Sequence, residues 1–156
     1  MMNLSQQQGV SFVEVIVVVV VLSILASFAA PSFSFTLQKY RLESSQKTLV
    51  EFLKEAKRLA RTESTTARVI LENIDDEPST LTLNTISGFS REKTLYTGVT
   101  FDESRTITFS AIGTITPPDG AGMFRIVLTS SDIDQNRYVD VVASGMTVSH
   151  NATFSP

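Results

Sequence analysis

Residues 10–31 read VSFVEVIVVVVVLSILASFAAP, and this stretch decides the architecture of the chain. Its first 21 residues are apolar except for Glu14 and three serines. A helix rises about 1.5 Å per residue, so the segment reaches roughly 31 Å, which crosses the roughly 30 Å hydrocarbon core of a bilayer. Residues 10–30 are therefore predicted to form a transmembrane helix.

Two other origins of this apolar run fit the residues less well. A cleaved secretory signal needs a basic leader and an apolar stretch of only about 7 to 15 residues, but residues 1–9 contain no Lys or Arg. A buried core helix in a small domain is normally apolar on one face, whereas residues 15–22 are apolar on every side. The membrane span is the favoured interpretation.

Charge divides the chain into two parts. Residues 1–38 contain one charged side chain, Glu14, and residues 39–156 contain the other 28 of the 29. The net charge of −3 argues against a generic nucleic-acid binder. The absence of cysteine excludes disulfides and thiolate chemistry, and His150 is the single histidine. We expect one small soluble domain behind the apolar segment, with no catalytic residue, metal or cofactor.

A short motif begins the apolar segment. Gly9 precedes Val10, Glu14 is the fifth residue counted from Val10, and Pro31 is the twenty-second. This spacing resembles the class III signal of type IV prepilins and type II secretion pseudopilins. The resemblance implies that prepilin peptidase cleaves between Gly9 and Val10, that Val10 is N-methylated, and that Glu14 and Phe12 serve subunit assembly.

The motif departs from the family pattern in two ways: Val10 stands where phenylalanine is usual, and residues 1–9 carry no basic residue. Charge alone therefore does not orient the segment. The resemblance implies a single-pass protein of the bacterial inner membrane, with its C-terminal head in the periplasm and filament-associated after assembly. The implied partners are other pilins or pseudopilins through the N-terminal helix, the prepilin peptidase/methyltransferase, and the inner-membrane assembly platform.

The predicted mechanism of subunit assembly depends on Glu14. A lone carboxylate costs about 2.5 to 3.5 kcal/mol at the centre of a membrane helix and less near the interface. Cleavage creates an amine at Val10 that stays cationic after methylation, so a neighbouring subunit can pair it with Glu14. The alternative is a carboxylate that simply extends to the membrane surface.

The helix is predicted to continue beyond Pro31, with a kink there because proline lacks an N–H and crowds the preceding turn. An apolar stripe runs from about residue 37 to residue 62 at helical spacing. The predicted segments are a leader (1–9), a transmembrane helix (10–30), an amphipathic continuation (31–66) and a head (67–156). The stripe consists of Leu42, Leu49, Leu53, Ala56 and Ala60.

A basic cluster lies on the same helix. Residues 39–61 carry a net charge of +4, whereas residues 62–156 carry −6. The cluster is either a nucleic-acid or acidic-partner contact, or the solvated face of an amphipathic helix, and the second interpretation is favoured. Its members are Lys54, Lys57, Arg58 and Arg61.

The remainder of the chain predicts β structure. Short alternating or β-rich runs separated by turn residues indicate antiparallel strands packed on the helix stripe, which gives an α+β architecture. The resemblance implies that this architecture is a pilin-like fold. Residues 109–114 and 59–63 resemble segments of the GspH/FimT branch of pseudopilins, as does the strand, turn and strand of residues 138–150. The predicted strands cover residues 67–72, 80–86, 105–109, 124–128 and 138–142.

One further motif has the spacing of a calcium loop. Asp132, Asp134 and Asn136 occupy every second position of this segment. An EF-hand would also need glycine at 137 and glutamate at 143, where the chain has Arg137 and Ala143. A polar hairpin turn is favoured. His150 has no partner pattern and is predicted to be a surface or strand-end residue.

The leading functional prediction is a minor pilin or pseudopilin that primes or caps a type II secretion pseudopilus or a type IV pilus. The alternative is a DNA-binding minor pilin for natural transformation. DNA-binding members of the family resembled carry a Gly-Arg-x-Arg motif, but residues 145–148 read GMTV and lack both arginines. A third possibility is an anchored periplasmic domain that is never processed.

Overall fold

The computed structural model describes residues 10–75, 77–117 and 122–151, and one long helix leads them. Helix α1 covers Phe12–Thr62, and its span includes Pro31. The chain divides into two units, Met1–Thr36 and Leu37–Pro156, and α1 contributes to both. Of the residues described, no helix combines the length and the apolar character needed to cross a membrane, so the transmembrane span expected at residues 10–30 is not confirmed.

The described residues contain eight strands after the helix, and every pairing between them is antiparallel. The predicted α+β class, a helix followed by an antiparallel head, is confirmed. The strands are β1 (Ala67–Glu72), β2 (Thr80–Thr85), β3 (Ser90–Thr94), β4 (Val99–Phe101), β5 (Arg105–Phe109), β6 (Met123–Ser130), β7 (Asn136–Val142) and β8 (Thr147–Asn151).

The strands form two four-stranded sheets, with orders β3-β2-β1-β5 and β4-β6-β7-β8. Sequence reasoning did not predict β3 or β4. Strand β3 reads SREKT and is exposed at every position, because it lies at a sheet edge and buries neither face. Strand β4 has only three residues, too few for a period of two to be recognised.

The apolar stripe of α1 forms one side of the core. Leu42, Leu49, Leu53, Ala56 and Ala60 all have zero exposure, which confirms the predicted spacing. The strands supply the other side through alternate residues, as the buried and exposed positions of β6 illustrate. Buried strand residues of the same core include Val69, Leu83, Phe109, Leu128 and Val139.

The chain leaves the helix through a tight reversal. Ser64 has a φ of 49°, in the left-handed region, and the Thr65 N–H donates to the Ala60 carbonyl over 3.0 Å. This is the hydrogen bond with which a left-handed residue ends a helix. It turns the backbone within a few residues, so that β1 begins at Ala67 and runs back beside the helix.

Candidate assembly site and basic groove

The first turn of α1 contains the predicted assembly residues. Val10 is the first residue that the structure describes, and the Val15 N–H donates to the Ser11 carbonyl over 3.2 Å as the helix begins. Glu14 lies in this turn, where a negative charge interacts favourably with the positive end of the helix dipole. The predicted cleavage residue Gly9 lies outside the described residues.

The side chains around Glu14 are apolar and exposed. Every large apolar side chain between residues 10 and 25 is at least 46% exposed, and Phe12 reaches 79%. A contiguous apolar surface of this extent marks a site that contacts another protein or a membrane. The helix therefore places Phe12 on a surface that requires a partner.

The hydroxyls in this apolar segment are satisfied within the helix. Ser23 donates to the Val19 carbonyl and Ser27 to the Ser23 carbonyl, each over 2.8 Å. Such bonds let serine lie in an apolar environment without an unsatisfied polar group. Glu14 differs, because its carboxylate has no ion pair or hydrogen bond among the described residues. Its acceptor oxygens remain available to a group from outside.

The kink predicted at Pro31 stays a prediction. The helix span includes this position, but the side chains of residues 28–32 are outside the described part of the chain.

The four basic residues singled out from the sequence line one groove. Their positions, at spacings of three and four, place them on the same side of α1. The groove has a volume of about 470 Å³, and Thr62 completes its lining. It lies at the end of the helix, within the head unit. The structure thus brings Lys54, Lys57, Arg58 and Arg61 together.

Two glycine turns lie beside the basic groove. Gly113 and Gly145 both have positive φ, and a Cβ on Gly145 would clash with the Gly113 carbonyl oxygen. A Cβ on Gly113 would lie 2.7 Å from Cδ of Arg61. Lys57 Nζ donates to the Ser144 carbonyl over 2.9 Å. Only glycine allows the two turns to approach each other and the helix this closely.

The charges of the groove are not neutralised within the described residues. None of its four cations belongs to an ion pair there, and two acids close to them along the chain are engaged elsewhere. Glu55 pairs with Arg91 over 2.6 Å, and Glu63 accepts a hydrogen bond from Ser87. The groove is therefore a concentrated positive surface that an anionic group can approach.

Comparisons with known proteins agree with the motif and the fold. Residues 4–30 match the prokaryotic N-terminal methylation motif. A crystal structure of the type IV minor pilin FimU from Pseudomonas aeruginosa strain PAO1, in space group P21, has a TM-score of 0.60 and 17% sequence identity, and covers 76% of this chain and 94% of its own. The fold of the chain is pilin-like.

A second crystal form of FimU, in space group P65, gives a TM-score of 0.56 at 17% identity and covers 74% of this chain and 97% of its own. No curated protein sequence is significantly similar to the chain. At this identity the structural likeness concerns the fold, in which a long helix is followed by an antiparallel head.

A charged cluster that the sequence did not reveal lies on the second sheet of this pilin-like head. Arg125 donates twice to Asp140, from Nε over 2.7 Å and from Nη2 over 3.0 Å, and lies 5.1 Å from the centre of the Tyr138 ring. The hydrogen bonds from Arg125 lower the pKa of Asp140 below its ordinary value despite its burial. His150, 53% exposed, lies 3.3 Å from Asp140 and contributes to that shift.

The cluster links three neighbouring strands, since Arg125, Asp140 and His150 belong to β6, β7 and β8. Its role is to tie the edge strand β8 to the sheet. The predicted surface or strand-end position of His150 agrees with this placement. Nothing in the sequence spacing signals the cluster, because strand register alone brings the three residues together.

Two buried polar contacts attach the helix to the second sheet, and sequence reasoning missed both. Gln46 Nε2 donates to the carbonyls of Tyr138 and His150, over 3.0 and 3.1 Å. Arg137, 5% exposed, donates to Glu43 over 3.1 Å. These bonds fix the position of α1 along strands β7 and β8, and they depend on contacts between residues more than 90 positions apart.

Of the calcium-like residues, Asp132 and Asp134 lie in the turn between β6 and β7, and Asn136 is the first residue of β7. Asp132 accepts hydrogen bonds from Gln38 over 3.1 Å and from Ser131 over 3.0 Å. Within the described ranges, no three His, Asp or Glu residues are placed to hold a metal ion. The side chain of Asp132 thus joins the turn to the helix.

Proposed function

We propose that this pilin-like chain is a minor pilin or pseudopilin, a structural subunit without enzymatic activity. Prepilin peptidase removes residues 1–9 by cutting between Gly9 and Val10, and Val10 is then methylated. The mature chain enters a filament through the N-terminal part of α1. The observation that carries the proposal is the unpaired carboxylate of Glu14 in the first turn of an exposed apolar helix, together with the methylation motif at residues 4–30.

Before assembly, residues 10–30 anchor the chain in the bacterial inner membrane as a single span, with the head in the periplasm. The exposed apolar side chains support this role, since lipid satisfies a surface that water does not. The internal hydrogen bonds of Ser23 and Ser27 also support it, because a helix in lipid must satisfy its polar groups internally.

During assembly, Glu14 pairs with the cationic N-terminal amine of Val10 on a neighbouring subunit. The carboxylate loses hydration energy in apolar surroundings, and a fixed opposite charge restores much of it. Because the attraction is stronger in a medium of low dielectric constant, the pair forms preferentially between packed helices. Phe12, two residues before Glu14 and 79% exposed, also takes part in subunit assembly.

The assembly is either a type IV pilus or a type II secretion pseudopilus, in which a minor subunit primes or caps the filament. The FimU structures come from a type IV minor pilin, which makes the pilus the first assembly to examine. The head resembles the GspH/FimT branch in its turn at residues 109–114 and in its final hairpin.

The test is incorporation of Glu14→Ala into sheared filaments, with Glu51→Ala as the matched control. Glu51 is an exposed acid on the same helix within the head unit. We expect Glu14→Ala to reduce the incorporated fraction by at least about tenfold, the effect of losing roughly 1.4 kcal/mol of association energy, while Glu51→Ala leaves it unchanged. Equal incorporation of all three proteins would refute the assembly role.

Processing has its own measurement. Mass spectrometry of the membrane-extracted chain should find a mature N-terminus at Val10 carrying one methyl group. An intact Met1 would support the unprocessed periplasmic domain instead and overturn the proposal.

DNA uptake has less support as the function. Met146 and Val148 occupy the places of the two arginines that the DNA-binding members carry, and residues 62–156 have a net charge of −6. Electrostatic attraction to phosphates would have to come from the basic groove alone. Nucleic acid is therefore not among the proposed partners.

A further inference from the structure

The edge strand β3 places two cations on the side of its sheet that faces the helix. Arg91 lies opposite Leu83, and Lys93 lies opposite Leu81. Residues that lie opposite each other in antiparallel strands share one face of the sheet. Both leucines are completely buried in the core that α1 closes. Arg91 and Lys93 therefore lie on the helix-facing side of β3.

The two cations differ in what surrounds them. Arg91 donates to Glu55 of the helix over 2.6 Å, and its guanidinium lies 5.2 Å from the centre of the Phe52 ring. Lys93 forms no ion pair with any residue that the structure describes. Only Arg91 is thus neutralised within the described chain, and the charge of Lys93 stays available.

Lys93 borders a cleft between the helix and residues 93–96. The cleft has a volume of about 330 Å³, which lies within the range of small-molecule sites. Among the described residues that line it, five carry a hydroxyl and none is acidic. Every polar side chain of this lining can therefore donate a hydrogen bond. The hydroxyl residues are Ser44, Ser45, Thr48, Thr94 and Tyr96.

The hydroxyls of the cleft lack partners in the part of the chain that the structure describes. No hydrogen bond within that part engages the hydroxyl of Ser44, Thr48 or Tyr96. Ser45 is 1% exposed, and its Oγ is buried without a hydrogen-bond partner. Because buried polar groups are normally hydrogen-bonded, this wall of the cleft is polar but not satisfied by the chain itself.

The chemistry of the lining selects the class of ligand. A calcium or magnesium ion needs oxygen ligands, chiefly carboxylates, and the described lining contains no carboxylate. A neutral sugar both donates and accepts hydrogen bonds, so it is normally held by acceptors as well as donors. An oxyanion only accepts, which matches a lining of donors, and lysine commonly binds phosphate as a point charge.

We propose that this cleft binds a small organic oxyanion, a molecule that carries one phosphate or carboxylate group. The ammonium group of Lys93 supplies the opposite charge, and the hydroxyls of Ser44 and Thr48 donate to the anionic oxygens. A water molecule takes about 30 Å³ of liquid and a phosphate ion only a few times that. The ligand therefore has an organic body as well, which Leu95 and the 43% exposed Tyr96 contact.

The inference does not depend on the proposed filament function. The described lining of the cleft belongs to the head unit, whereas the proposed assembly residues Phe12 and Glu14 belong to the unit Met1–Thr36. Either proposal can therefore fail while the other stands.

Calorimetric titration of the full chain in detergent at low salt tests the site. Three sugars are compared: glucose 6-phosphate, glucuronate and glucose, which carry a phosphate, a carboxylate and no anionic group. We expect at least one of the two anionic sugars to bind, and glucose not to bind. Binding of glucose 6-phosphate alone identifies a phosphate ligand, and binding of glucuronate alone identifies a carboxylate ligand.

Substitutions locate the binding in the cleft. Lys93→Gln should weaken the affinity for the anionic sugar by about tenfold, because it removes a charge-assisted contact. Arg58→Gln is the matched control, since it removes the same charge from an exposed position in the basic groove, and it should leave the affinity unchanged. Thr48→Val keeps the side-chain shape but removes the hydroxyl, and it should weaken the affinity by roughly threefold.

Chemical acetylation gives a second measurement that needs no variant. The bound anionic sugar should slow the acetylation of Lys93, because it covers the ammonium group. Lys54, an exposed lysine of the basic groove, should react at the same rate with and without the sugar. Mass spectrometry of the digested chain measures both rates.

Several outcomes overturn the inference. Titrations in which neither anionic sugar binds, or in which glucose binds as tightly as they do, exclude an oxyanion site. An equal loss of affinity in Lys93→Gln and Arg58→Gln would mean that the sugar responds to the overall charge of the head and not to this cleft. Protection of Lys54 in place of Lys93 would place the bound anion in the basic groove.

Discussion

The two halves of α1 have the same backbone conformation, but their apolar side chains lie in different environments. In the head unit, Leu42, Leu49 and Leu53 are fully buried against strands of the same chain. In the unit Met1–Thr36, Val18 and Leu22 are more than half exposed. A helix is stabilised mostly by what covers its apolar face, so the first half needs a partner outside the chain and the second half already has one within it.

The largest expected effect tests this difference directly. Leu53→Ala should lower the free energy of unfolding of the head by about 2 to 5 kcal/mol, because it leaves a cavity in a close-packed core. Val18→Ala removes methyl groups from an exposed position of the same helix, and it should change the free energy of unfolding by less than about 0.5 kcal/mol. Urea unfolding of the full chain in detergent measures the free energy of unfolding of both variants. An equal loss of stability would contradict the difference between the two halves of the helix.

A smaller effect concerns the turns that pack on the second half of the helix. Gly145→Ala should destabilise the head by about 2 to 3 kcal/mol, since it combines a left-handed conformation with a clash against the Gly113 carbonyl. Gly88→Ala is the matched control, because Gly88 also has positive φ but open space around it, and should cost about 1 kcal/mol. Thermal unfolding compares them. Identical losses of stability would mean that backbone strain, and not the clash with the Gly113 carbonyl, explains the effect of Gly145→Ala.

The smallest expected effect is a pH dependence of stability that comes from Asp140 in β7. The pKa of Asp140 is lowered in the folded chain, so its ion pair stabilises the fold above the unfolded pKa of about 3.9, and the gain is lost as the pH falls through the lower folded value. Asp140→Asn should therefore reduce Tm near neutral pH, with the difference shrinking in acid. Asp75→Asn, in an exposed loop, should show no such trend. A difference independent of pH would exclude the ion pair as its cause.

Features with a local period were predictable. The helix stripe follows from a spacing of three and four, and strands such as β1, β5 and β6 follow from apolar or alternating residues. Strand β3 could not be predicted because SREKT has no apolar face. The division into two sheets could not be predicted either, because paired residues such as Ala67 and Phe109 are distant in sequence.

The candidate sites also combine features that the sequence predicts with features that only the tertiary structure shows. The register of Glu14 relative to Val10 and the shared face of Lys54, Lys57 and Arg58 are properties of consecutive residues, and the sequence contains them completely. The wall of the basic groove at Gly113 and Gly145 is not such a property, because it joins turns 32 positions apart.

The sequence by itself determined that this chain begins with a methylation motif, continues as a long helix with an apolar half and an amphipathic half, and ends in antiparallel strands. These properties depend on local periodicity and on side-chain chemistry. Only the tertiary structure decided which turns meet, and therefore that the turns of Gly113 and Gly145 lie against each other beside the basic groove. That arrangement results from the register of paired strands, which neighbouring residues do not encode.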